Sequence, residues 1–210
     1  MPLDWTSKIS LTVSNRHNIN GRVYYKSRND NDHEHPLVPE QVVLSRWRKT
    51  HSDKYSFHGS RLSPTLWKGL VNVDFMSHEW SETCQPCRSK DCVLADEDAS
   101  FFRLPNHSVL RAMHKTIGGV SMVAITQFQT VMIKQQRYGT PDLFLWMQDK
   151  QTGRPTFGAF VEVKKPDEPL SRDQKFMLWK LKRLGLNAKV IRLKETPSRS
   201  SQCKCGDRCS

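Results

Sequence analysis

The chain has 210 residues, a formal charge of +12 and 37% hydrophobic residues, including six Trp, nine Phe and four Tyr. That is enough apolar material for one domain with its own core, and it excludes a disordered chain. The positive excess favours a polyanionic partner, nucleic acid or an anionic membrane surface.

Residues 1–38 are polar and are expected to form an N-terminal extension, with short strands near Ile9–Val13 and Val23–Tyr25. Residues 39–100 read as a helical region. Val43, Leu44 and Trp47 follow helical spacing within Glu40–Lys49, and a second helix is expected over Leu62–Phe75. Residues 78–98 are charged and carry cysteines, as a surface insertion would. Two helices, Phe101–Lys115 and Gly119–Lys134, are expected to meet at Gly118-Gly119. Strands over Asp142–Met147 and Phe157–Lys164 flank a turn with Gly153 and Pro155, which predicts a hairpin. Ser171 and Gln174 fit a capping box that opens a helix over Ser171–Leu184, and Gly185 ends it. A last strand covers Ala188–Leu193, and the tail 195–210 has no apolar periodicity.

No apolar run reaches the roughly 18 to 20 residues that span a bilayer. Met1–Ser10 carries Asp4 and Lys8 in place of a signal-peptide apolar core. An intracellular protein without a membrane partner is expected, nuclear if eukaryotic. Six cysteines in such a chain do not predict a disulfide framework.

The segments GTPDLFLW and AFVEVKKP carry the chemistry. Residues two apart on a strand share a face, so Glu162 and Lys164 project together, and Asp142 joins them if it starts the paired strand at the same end. The flanking LFLW and AFV are apolar on both faces, the pattern of a buried strand, and buried charges need a partner or an ion. Two adjacent buried carboxylates repel, and a divalent cation relieves that conflict; oxygen donors suit Mg²⁺ or Mn²⁺. Phosphodiester hydrolysis is the natural reaction of such a trio. The alternative is an exposed Glu162–Lys164 ion pair.

From Phe101 to Leu193 the chain resembles the VRR-NUC domain of the PD-(D/E)xK superfamily, and in particular that of the Fanconi-associated nuclease family. The matching residues are FFR (Phe101–Arg103), IGGVS (Ile117–Ser121), YGTPDLFLW (Tyr138–Trp146), FVEVKKPDEPLSRDQ (Phe160–Gln174) and LGLNAKVIRL (Leu184–Leu193). The resemblance implies an α/β restriction-endonuclease-like core over residues 101–194, a mixed central sheet flanked by helices, with an N-terminal helical or irregular extension. It also implies catalytic Asp142, Glu162 and Lys164, a metal set that includes Val163, and a Mg²⁺- or Mn²⁺-dependent nuclease for branched, flap or junction DNA. A junction resolvase would need a two-fold homodimer. A weaker match covers PEQVVLSRW (Pro39–Trp47) and His58–Met76, where the family's Glu-Gly-Ser is His58-Gly59-Ser60. His58 is therefore either a metal ligand that favours Mn²⁺ or a packing residue, and the loss of a carboxylate opens the reading of a weakly active or inactive DNA-binding protein.

Gln174 is expected to serve the site, or else only the capping box. Lys134, Arg137, Lys165, Arg172 and Lys175 lie near the site in sequence and are candidate DNA phosphate contacts. A solvated basic face is the alternative. His78, Cys84, Cys87 and Cys92 have zinc-ligand spacing, so a structural Zn²⁺ or free thiols are both open.

Overall fold

Six strands form one mixed sheet in the computed structural model, which describes residues 9–19, 22–27, 37–62, 107–137 and 139–195. The expected helix beyond Leu62, the cysteine-bearing stretch 78–98 and the tail beyond Glu195 lie outside the described residues. The elements run β1 (Ile9–Ile19), β2 (Arg22–Ser27), α1 (Pro39–Arg48), β3 (Tyr55–Arg61), α2 (His107–Ile117), α3 (Gly119–Lys134), β4 (Leu143–Asp149), β5 (Pro155–Lys164), α4 (Arg172–Arg183) and β6 (Ala188–Glu195). Their order across the sheet is β2-β1-β6-β5-β4-β3. β5 and β6 are parallel, joined through α4, and the expected β4–β5 hairpin is antiparallel.

β4 and β5 are buried on both faces because helices cover each side. Leu143, Leu145 and Met147 alternate onto the face where α1 packs with Val42, Val43, Leu44 and Trp47. Phe144, Trp146 and Phe160 point the other way, into the core built by α2, α3 and α4. Met177, Leu178 and Leu181 form the buried stripe of α4, as their spacing predicts. Between α2 and α3 the chain bends by 114°. Gly118 makes that bend with a φ of 81°, a conformation that side chains with a Cβ adopt at a cost. No single helix among the described residues is long and apolar enough to cross a membrane.

Two expectations need correction. The N-terminal stretch holds the strands expected near Ile9–Val13 and Val23–Tyr25, but both run longer than expected. It forms two full strands, and β1 pairs in parallel with β6 from Ile9↔Ile191 to Val13↔Glu195. The polar residues that follow Val13 do not prevent backbone pairing; β2 supplies the partner. The region from residue 39 also contains a strand, β3, which pairs with β4 from Tyr55↔Asp149 to Arg61↔Leu143. YSFHGSR has little apolar content, and its strand character comes from the edge of β4.

Candidate active site

The ladder between β4 and β5 ends at Leu143↔Val161, so one step further brings Asp142 beside Glu162. Here β4 has run out while β5 continues. The Asp142 side chain takes the place of a strand partner: its Oδ2 accepts from the Val163 N–H at 2.7 Å. Leu62 donates its N–H to the Asp142 carbonyl at 2.8 Å, which holds the strand start from the other side. Val163 thus enters the site through its backbone, while its side chain is buried in the core facing α1.

Glu162 and Lys164 share a face of β5 and are 1% and 4% exposed. The Lys164 Nζ lies 3.1 Å from Glu162 Oε1 and 3.1 Å from Glu168 Oε1. Gln174 donates from Nε2 to Glu162 Oε1 at 2.5 Å. The same amide completes the capping box of α4: its Oε1 accepts from the Ser171 N–H at 2.9 Å, and the Gln174 N–H donates to Ser171 Oγ at 3.1 Å. The two roles expected as alternatives for Gln174 are therefore held together by one side chain.

The start of α4 is pressed against the loop that leads into β4. A Cβ on Gly139 would stand 2.3 Å from the Asp173 carbonyl oxygen, so only glycine allows this approach.

Burial pushes the Glu162 carboxyl up to about 8, helped by the charge of Asp142 and opposed by Lys164. Burial also raises Asp142 to about 6, against the lowering effect of the Val163 N–H. Burial lowers the Lys164 ammonium, but its hydrogen bonds to Glu168 and Glu162 outweigh this and leave it raised. Two carboxylates that are hard to ionise together are a poor arrangement by themselves. The second oxygen of Glu162, Oε2, is buried with no hydrogen-bond partner. A hard divalent cation fits this donor set, since it would use the orphaned oxygen and offset both charges. Among the described residues no three His, Cys, Asp or Glu side chains gather into a ligand set.

Two acidic residues were not anticipated here. Glu40, in the first turn of α1, raises the Asp142 pKa through its charge and lies 3.7 Å from Arg61. Glu168 holds Lys164 and accepts from the Lys165 N–H at 3.3 Å. Glu168 follows Lys164 by four residues in KKPDE, which is a visible signal. Glu40 has no signal beyond an acid at a helix start, a common placement.

His58 takes the packing alternative in this structure. It pairs with Trp146 across the β3–β4 ladder, four positions from Asp142 along β4, roughly 13 Å at about 3.3 Å per residue. Its ring stacks on Trp146 with centroids 5.6 Å apart, and it shares a hydrogen bond with Ser56 Oγ at 2.9 Å. It packs on Trp146 and is not brought to Asp142 and Glu162, because the register of β3 sets its position.

Of the candidate phosphate contacts, Lys134, Arg172 and Lys175 are exposed and Lys165 is half-buried. Arg137 is bound to Asp173, its Nε 2.8 Å from Oδ1. His78, Cys84, Cys87 and Cys92 fall outside the described residues.

Residues 97–195 match the model of the VRR-NUC domain. The fold is similar to that in the crystal structure of paFAN1 bound to 1-nt 5′-flap DNA with a gap, at TM-score 0.55 and 14% identity over 91% of this chain. It is also similar to paFAN1 bound to 2-nt 5′-flap DNA with a gap, at TM-score 0.52 and 13% identity over 91% of this chain. In both cases the chain spans 38% of the length of the solved protein. No curated protein sequence matches the chain.

Proposed function

We propose, from the match of residues 97–195 to the VRR-NUC domain model, a divalent-metal-dependent nuclease that hydrolyses phosphodiester bonds in flapped or branched DNA. The observation that carries this reading is the pairing of Asp142 with Glu162, whose Oε2 is buried without a partner beside a fixed ammonium. Asp142 and Glu162 would hold Mg²⁺ or Mn²⁺. When bound, the ion supplies Lewis acidity toward a phosphoryl oxygen and lowers the pKa of a bound water.

The protein's own groups set the geometry. The Val163 N–H fixes the rotamer of Asp142, and the Gln174 amide fixes that of Glu162. Glu168 holds Lys164 from the side away from Glu162 in sequence, so the ammonium is already ordered before substrate arrives. Its pKa is raised, so Lys164 keeps its proton near neutral pH. Its role is then to orient water and offset negative charge on the phosphate in the transition state; it does not serve as a general base. Exposed Arg172 and Lys175, beside Gln174 in the first turn of α4, and exposed Lys134 are the phosphate contacts of this reading.

The bound DNA of the paFAN1 crystal structures supports flaps as the first substrates to test. The experiment is a panel of labelled flap, fork, junction, single-stranded and duplex DNA in Mg²⁺ and in Mn²⁺. Cleavage of a flap or branched substrate that EDTA abolishes is expected. No cleavage of any substrate in either metal would overturn the proposal.

A further inference from the structure

The outer face of α4 carries aromatic rings in solvent. Phe176 is 37% exposed and Trp179 is 52% exposed, and their rings are stacked with centroids 5.7 Å apart and planes 9° from parallel. Phe128 of α3 extends the row, 5.4 Å from Phe176. Large apolar side chains grouped in this way are uncommon on a free surface and mark a binding site.

The charges around the rings decide what kind of partner fits. Arg137 lies 5.1 Å from the centre of the Phe176 ring, Lys180 lies 5.7 Å from that of Phe128, and Arg183 lies 5.7 Å from that of Trp179. Asp173 is the only acid on α4, and Arg137 already engages it. A partner helix or a second copy would have to bury these cations against a basic chain. A nucleic-acid strand presents phosphates to the cations and flat base faces to the rings. Exposed cations on aromatic faces are weakly held and can turn to a phosphate.

The patch lies on the helix that opens at the site, on the face turned away from the core. Gln174 touches Glu162, and Phe176 and Trp179 follow it on the same helix, Trp179 about 7.5 Å further along the axis at about 1.5 Å per residue. We propose that Phe176 and Trp179 form a stacking platform for unpaired bases, with Lys180 and Arg183 on the backbone phosphates. This surface would take up the single-stranded arm of the DNA on the outer face of α4, the helix whose inner face carries Gln174 to Glu162. The inference rests on the nuclease reading for its choice of DNA.

The test is binding of a labelled oligo(dT) strand, an abasic strand of equal length and a blunt duplex, all in EDTA, to wild type, to Phe176→Ala/Trp179→Ala and to Trp179→Phe. Wild type is expected to bind oligo(dT) at least roughly tenfold more tightly than the abasic strand, a gap in line with base–aromatic stacking. The double variant should lose that preference while duplex binding stays unchanged, and Trp179→Phe should retain most of it. Equal oligo(dT) affinity of wild type and double variant, with flap cleavage intact, would overturn the platform and leave the nuclease reading standing. A double variant that changes the oligomeric state in sedimentation, with oligo(dT) binding unaltered, would overturn it in favour of self-association. A wild type that neither binds nor cuts any DNA would overturn both.

Discussion

Gln174 donates its side-chain N–H to Glu162 while its amide oxygen closes the capping box with Ser171. The first turn of α4 and the deepest carboxylate of the site are thus fastened by one residue. Gln174→Glu keeps the capping acceptor, since Glu is the usual residue at that position of the box, but it removes the donor and places a carboxylate against Glu162. Thermal stability is expected to change by about 1 kcal/mol or less. Metal affinity should fall by about 10- to 100-fold, the usual effect of removing a group that orients a metal ligand. A metal titration of the cleavage rate measures this, and an unchanged midpoint would show that Gln174 serves the helix alone.

Lys164→Ala removes the ammonium between Glu162 and Glu168. The cleavage rate is expected to fall by about 10²- to 10³-fold, as when an electrostatic donor is taken from a transition state. Asp142→Asn should be at least as severe. Both variants are compared with wild type for DNA affinity in EDTA, which reports on folding and binding separately from chemistry. Wild-type cleavage by either variant would show that the site is misassigned.

Stability without metal is expected to fall as pH rises. In the folded chain Glu162 keeps its proton up to about 8, against an ordinary value of 4.5. Between those values the folded state binds more protons than the unfolded one, so the stability present below about 4.5 declines toward pH 8. Asp142 acts in the same direction between 3.8 and about 6. Glu162→Gln should flatten the curve and raise Tm at pH 8 by a few degrees, on the order of 1–3 kcal/mol. Mn²⁺ should stabilise wild type most on the alkaline side and do little for the variant. Thermal melts in EDTA and in Mn²⁺ across this range give the answer, and identical slopes for the two proteins would contradict the burial of an ionisable pair.

His58→Ala separates packing from ligation. The stack on Trp146 and the hydrogen bond with Ser56 are lost, so stability should drop by about 1 kcal/mol. The dependence of cleavage on Mg²⁺ and Mn²⁺ should not move. A variant that loses its metal response while keeping its Tm would place His58 at the site after all.

Gly139→Ala tests the contact that brings α4 to the site. The added methyl meets backbone of Asp173 and Gln174, which cannot turn aside as a side chain can. A loss of about 1–3 kcal/mol is expected, with a fall in cleavage rate as Gln174 is displaced. Measured at a temperature where the variant is fully folded, an unchanged rate would show that this approach does not position the site.

What the sequence by itself determined is local. DLFLWM and FGAFVEVK are apolar on both faces, so they had to be central strands, and a period of two put Glu162 and Lys164 on one side. Ser171, Gln174 and Gly185 bounded α4 through capping chemistry that acts within a few residues. The trio of Asp142, Glu162 and Lys164 was legible because charges interrupted buried strands. Long-range pairing decided the rest. The first half of β1 was legible, but its polar half and β3 are strands because β2 and β4 offer them partners, and backbone hydrogen bonds leave no pattern in the side chains. The register of β3 then carries His58 to Trp146 and away from the carboxylates. Glu40 and the second role of Gln174 likewise depend on how helices dock against the end of the sheet. Those positions follow from packing between segments far apart in the chain, which residue spacing does not encode.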